Sequence, residues 1–150
     1  MEAAVTRIRP GWFLAVVLLA GCASNIGRPG TPDPDPEAWR GFVGCYRVGD
    51  GGFFALDTVP ETELYADQPG VRLARFASPA LQSSYWFVDD RGVLWVYRED
   101  GLWGTGYELR TVKGDTLTGW RWVRNDVPRD DPPTPATATR TQCPPAAPAG

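Results

Sequence analysis

Ser84-Tyr85-Trp86-Phe87-Val88-Asp89-Asp90-Arg91-Gly92-Val93-Leu94-Trp95-Val96-Tyr97-Arg98 is the stretch on which the fold turns. Two aromatic and β-branched runs flank a polar break that ends in glycine. Such runs fit the pleated surface of a sheet, and Asp-Asp-Arg-Gly is turn chemistry. The stretch reads as a β-hairpin with strands at 84–88 and 93–98.

The pattern continues downstream. Glu99-Asp100-Gly101 is a second turn, and 102–111 is a strand with Trp103, Thr105, Tyr107 and Leu109 on one face. Lys113-Gly114-Asp115 turns again. Residues 116–124 return with Trp120 and Trp122 on one face and Leu117 and Val123 on the other. Four strands joined by three tight turns make an antiparallel meander. Upstream, 42–48 and 53–59 flank the turn Gly49-Asp50-Gly51-Gly52, and Pro60 ends the second strand. Residues 60–70 are irregular or hold one helical turn, and 71–76 alternates strictly. Residues 126–135 read as a loop. Residues 136–143 read as a last strand, the alternative being an unstructured tail. The expected fold class is all-β: a small antiparallel up-and-down barrel or strongly curled meander sheet of about eight strands. First and last of eight such strands run antiparallel, so closure is allowed, and it removes exposed edges.

The chain's address is written before the fold. Arg7 and Arg9 form a basic region, and Trp12 to Ala20 is an apolar run. It is shorter than the ~20 residues a membrane-spanning helix needs, and small residues follow it as in a cleavable signal. Leu19-Ala20-Gly21-Cys22 resembles the lipobox of bacterial lipoproteins. The resemblance covers residues 1–22. It implies that 1–21 is a signal peptide and that Cys22 receives a diacylglycerol and becomes the new N-terminus. The protein's first expected partner is thus the membrane, through its own lipid. Ala23, rather than Asp, after the cysteine resembles the outer-membrane address of Gram-negative lipoproteins. The implied place is the cell envelope, on the outer membrane facing the periplasm. Residues 22–38 then read as the lipidated cysteine and a Pro/Gly-rich tether, solvated, reaching at most ~50 Å at ~3.1 Å per residue. The β domain spans 39–143, and 144–150 is a disordered tail.

Composition narrows the function. Removing 1–21 leaves 13 basic and 17 acidic side chains. No basic stripe is present, so no nucleic-acid partner is expected. Of three cysteines, Cys22 belongs to the anchor. Cys45 and Cys143 are left as a pair in an oxidising compartment, where a disulfide is expected, the alternative being two free thiols. The Gly44-Cys45-Tyr46 opening and late cysteine resemble bacterial lipoproteins of uncharacterised role, which implies no activity. The meander is similar to lipocalins and avidins in pattern only. Trp39 precedes Gly41, so the Gly-X-Trp fingerprint of lipocalins is absent and no ligand residue carries over.

There is no histidine. That removes the usual general base and the His-containing triads and zinc sites. Serines 24, 78, 83 and 84 lack a Gly-X-Ser-X-Gly elbow. No catalytic residue, metal site or cofactor is expected, and the protein is read as a non-enzyme. Asp33, Asp35 and Glu37 lack the glycine and distal glutamate of a calcium loop. Asp89-Asp90 and Glu99-Asp100 read as solvated turn acids. Gly104 and Gly106 read as bare positions admitting curvature or an opposing aromatic ring. Asp57, Glu108, Arg47 and Arg121 lie within strands and would need partners if they faced inward. The aromatic residues are the functional lead. They fill a core, or one face lines a cup for an apolar small molecule or meets an envelope protein. Trp120 and Trp122, with Trp95 and Trp103 behind them and Arg121 between, are the candidate ligand-binding residues. A purely structural, accessory lipoprotein with a filled core is the alternative.

Overall fold

Alternating residues in eight consecutive segments have the apolar content to close a sheet on itself, and the chain does so. The computed structural model describes residues 29–77, 83–100, 103–125 and 132–144. Its strands are β1 (Gly44–Val48), β2 (Phe53–Pro60), β3 (Arg72–Phe76), β4 (Ser83–Val88), β5 (Leu94–Asp100), β6 (Trp103–Lys113), β7 (Thr116–Asn125) and β8 (Thr134–Thr141). Each pairs antiparallel with the next, and β8 returns to β1, giving a closed barrel rather than an open curled sheet. The closing seam sets Cys45 opposite Thr141 and Val48 opposite Ala138. Two residues past β8's last rung, Cys143 bonds Cys45, with Cα atoms 5.1 Å apart. The expected disulfide and the last strand are both present.

The interior is filled at its waist. Tyr46, Phe54, Trp86, Val96, Tyr107 and Leu109 all belong to one buried cluster. An eight-stranded barrel is only wide enough for its inward side chains to fill, and here the aromatics do most of that filling. Pro36–Arg40 forms a single helix, α1, capped by Asp35, whose side chain accepts from the Glu37 amide. Its Trp39 joins the interior cluster and meets Trp86 edge to face at 6.3 Å. The Arg72 guanidinium lies 4.0 Å from the Trp39 ring and donates to the Pro69 carbonyl. Arg140 donates to the carbonyls of Val43 and Gly41 and to the Tyr46 hydroxyl. Together, α1, Arg72 and Arg140 close the end of the barrel that carries the β4–β5 and β6–β7 turns.

Three expectations are corrected. The tether is not solvated throughout. Pro32 forms an isolated bridge with Asp89, and the Asp33 amide donates to the Val88 carbonyl. Residues 30–33 therefore run along the end of the β4–β5 hairpin, and α1 follows. Proline in an extended segment keeps its carbonyl and exposes no unpaired amide, so Pro-rich chain can line an edge. Asp89 is not a solvated turn acid but fully buried. Its carboxylate accepts from the amides of Gly30, Arg91 and Val93, from the Arg91 guanidinium and from the Trp95 indole. That donor set compensates the desolvation that makes a lone buried charge untenable. Trp95, Trp120 and Trp122, expected to line a cup, face outward.

Residues 60–70 are irregular, as expected. Glu61 organises them by accepting from the amides of Glu63, Leu64 and Tyr65. This loop and residues 30–33 cover the outer face of β4 and β5. Both faces of the quoted hairpin are consequently buried, which is why Tyr85 to Val88 reads as an unbroken apolar run.

Candidate functional site

Period-two alternation decides where each candidate points. In β7, Leu117 joins the interior cluster, and Arg121 shares its parity. Trp120 and Trp122 take the opposite parity and face outward. Register confirms the split: Tyr107 pairs with Arg121, Gly106 with Trp122, and Glu108 with Trp120. Trp95 is opposite Glu108 on the same outer face. Trp95, Trp120 and Trp122 thus do not line a cup, because the interior positions are occupied by a different aromatic set. Trp103 opens β6 in register with Asp100 and Asn125. Of the candidate ligand residues, Arg121 is placed at the barrel's mouth, and the side chain of Trp103 lies outside what is described.

On the outer wall, the rings of Tyr85, Phe87, Trp95 and Tyr97 lie in a near-parallel row. Tyr85 and Tyr97 are 4.9 Å apart at 14°, and Phe87 and Tyr97 are 6.0 Å apart at 10°. Trp122 meets Tyr97 edge on at 5.2 Å. Its indole lies where a Cβ on Gly106 would sit, 2.1 Å from the nearest ring atom. Gly106 is bare to admit this ring, the second of the two roles its position allowed. Burial pushes the Tyr85 phenol well above its usual range, and the hydrogen bond from Tyr65 adds to this. The row is capped by Tyr65 and Val71 of the 61–71 loop, so it is a second core more than a platform.

The opposite end of the barrel, as its described residues form it, is different in kind. A cleft of about 260 Å³ lies there, lined by Phe53, Phe54, Phe76, Arg98, Thr105, Tyr107 and Arg121, with Gly51 and Gly52 at its edge. Phe54 packs at tilted angles against Tyr46, Phe76 and Tyr107 and forms the floor. The Arg98 guanidinium is 5.9 Å from the Phe76 ring. Arg121 Nε is 3.7 Å from Asp50 Oδ2, beyond hydrogen-bond reach, and is buried without a hydrogen-bond partner among the described residues. Burial pushes the Tyr107 phenol up, Asp50 adds to this, and Arg121 opposes it. Tyr107 therefore stays protonated at neutral pH and offers a donor as well as an acceptor.

This arrangement can hold a small molecule by an aromatic floor and a cationic rim. Arg98, Thr105 and the phenylalanines were not singled out in the sequence as site residues. Period two ties Arg98 to the parity of Leu94 and Val96, but with both faces of β5 apolar only the structure shows that this parity points inward and ends at the mouth. Among the other strand charges, Arg47 is exposed and Asp57 pairs outward with Arg75 at 3.1 Å. Glu108 is buried on the outer face. Among the described residues no group of three or more His, Cys, Asp and Glu could hold a metal, and no helix is long and apolar enough to cross a membrane. Cys22 and the signal region lie outside the described residues. Comparison with protein-family models, curated proteins and solved structures gives no match to the chain.

Proposed function

We propose that the protein is a non-enzymatic binding module of the bacterial envelope, anchored by lipid on Cys22, that takes a small molecule in the mouth of its barrel. The observation that carries this reading is the asymmetry of the two ends among the described residues. One end is closed by α1 and the Arg140 hydrogen bonds. The other holds a cleft with aromatic floor and polar rim. Concave apolar sites with a few convergent polar groups are the common form of small-molecule pockets. Residues 30–33 join the barrel at its closed end. An anchor at Cys22 would thus turn the mouth away from the membrane, toward the periplasm.

The packed waist favours a second reading, an accessory lipoprotein with no small-molecule ligand. Native mass spectrometry separates the two. The full chain, extracted from its own envelope in mild detergent, is expected to carry an extra mass of roughly a few hundred daltons. Thr105→Trp, which fills the mouth, should abolish that mass without loss of folded protein. A clean apo mass for the unmodified chain would leave the accessory reading. Labelling with a palmitate analogue tests the anchor: it should mark the unmodified chain and not Cys22→Ala.

A further inference from the structure

We infer that the mouth site selects a singly charged carboxylate with a compact apolar body. The inference rests on the reading of the mouth as a ligand site and names the ligand's chemistry. Four observations lead to it. First, two guanidiniums, Arg98 and Arg121, line one cleft. A guanidinium presents its donors in a planar fork that matches a carboxylate. Second, Arg121 Nε is buried and has no hydrogen-bond partner among the described residues. A buried donor left unpaired is costly, so an acceptor supplied by a ligand at this point gains more than it would in water. Third, Asp50 lies beside Arg121, its Oδ1 already accepting from the Gly52 amide. One fixed carboxylate at the rim weakens binding of a doubly charged head such as a phosphate monoester, while a monoanion meets less repulsion. Fourth, the floor is made of Phe54 and Phe76 with Tyr107, and the protonated Tyr107 hydroxyl can donate to the same head.

Size limits the body. About 260 Å³ falls just below the usual range for drug-sized ligands. A medium-chain acyl carboxylate or a one-ring aromatic acid fits. A two-chain lipid does not.

The test is a titration of the full chain in phosphatidylcholine nanodiscs, labelled with ¹³C at phenylalanine and tyrosine. Ring resonances of Phe54, Phe76 and Tyr107 report binding in the mouth, and ligand partitioned into the discs is subtracted. The probes are octanoate, octanol, octylamine and octyl phosphate. Octanoate is expected to bind about tenfold or more tightly than octanol, the span of a charge-assisted hydrogen bond, and more tightly than octyl phosphate. Arg121→Gln should remove most of octanoate's advantage and leave octanol unchanged, and Arg121→Lys should restore part of it. Asp50→Asn, a rim change that keeps the turn's acceptor, should tighten octanoate and octyl phosphate and leave octanol unchanged. That variant keeps the test open even if Arg121→Gln fails to fold. Equal binding of octanoate and octanol overturns the carboxylate selection while the mouth stands as an apolar cup. Tighter binding of octyl phosphate or octylamine overturns it too. No shift with any probe removes the mouth as a ligand site altogether.

Discussion

Asp89 shows how one residue can be misread from its neighbours. Asp-Asp-Arg-Gly is turn sequence, and the turn is there, yet the first aspartate is the polar centre of the closed end. Burial is the largest single influence on its carboxyl and pushes the pKa up. Hydrogen bonds from Arg91, Trp95, Val93 and Gly30 outweigh it and hold the group below its ordinary value. A depressed folded-state pKa contributes stability that is full above the unfolded value of ~3.9. It is lost as pH falls through the lower folded value. Asp89→Asn removes the charge but leaves the buried donors. It should cost about 3 kcal/mol near neutral pH, in the range for breaking a buried pair. Urea unfolding from pH ~7 down to pH ~2 should show the unmodified chain losing stability below pH ~4, and the variant losing less over the same interval. Parallel curves for the two chains would mean that Asp89 is not the group that titrates. Gly119 is a residue whose role lies in the backbone. A Cβ there would sit 1.9 Å from the Glu108 carbonyl oxygen, inside the neighbouring strand. Gly119→Ala should therefore lower stability by about 1–3 kcal/mol, read from the thermal midpoint.

Among the elements, the β4–β7 meander was legible almost to the residue. Its turns are short and chemically explicit, and its strands are long. The 93–98 strand spans Leu94–Asp100, and the 102–111 strand spans Trp103–Lys113. What the pattern did not reveal was which face is inside. In β4 and β5 both faces are apolar, so alternation carries no sign. The inner set is Trp86, Val88, Leu94 and Val96, and the outer set is Tyr85, Phe87, Trp95 and Tyr97. Only the covering by residues 30–33 and the 61–71 loop explains an outer wall this aromatic. α1 was hidden for a related reason. Pro-Asp-Pro-Asp-Pro reads as extended chain, but Asp35 before Pro36 is also an N-cap before a first-turn proline, and Trp39 gives the single turn something to bury.

The whole molecule is a ring, and a ring is only as stable as its seam. β1 and β8 are joined by four registered pairs, and the Cys45–Cys143 bond lies beside them. Its 98-residue separation makes it a constraint on nearly the whole domain. In the chain-entropy description, losing it costs about 4–5 kcal/mol. Cys143→Ser, or reduction of the unmodified chain, should lower the urea midpoint accordingly, and the two treatments should coincide. A negligible shift would mean that the pairing and packing of β8 hold the seam alone. The sequence by itself determined the all-β class, the strand order of the meander and the expected pairing of the two downstream cysteines. These follow from period, turn chemistry and counting, which are local. The tertiary structure alone decided closure, the inward set of aromatics, the burial of Asp89 and the gathering of Arg98 and Arg121 with Tyr107 at one mouth. Each of these depends on which face of a strand meets the interior and what covers the other. A period of two fixes that choice only up to a flip, and the contacts of distant segments settle it.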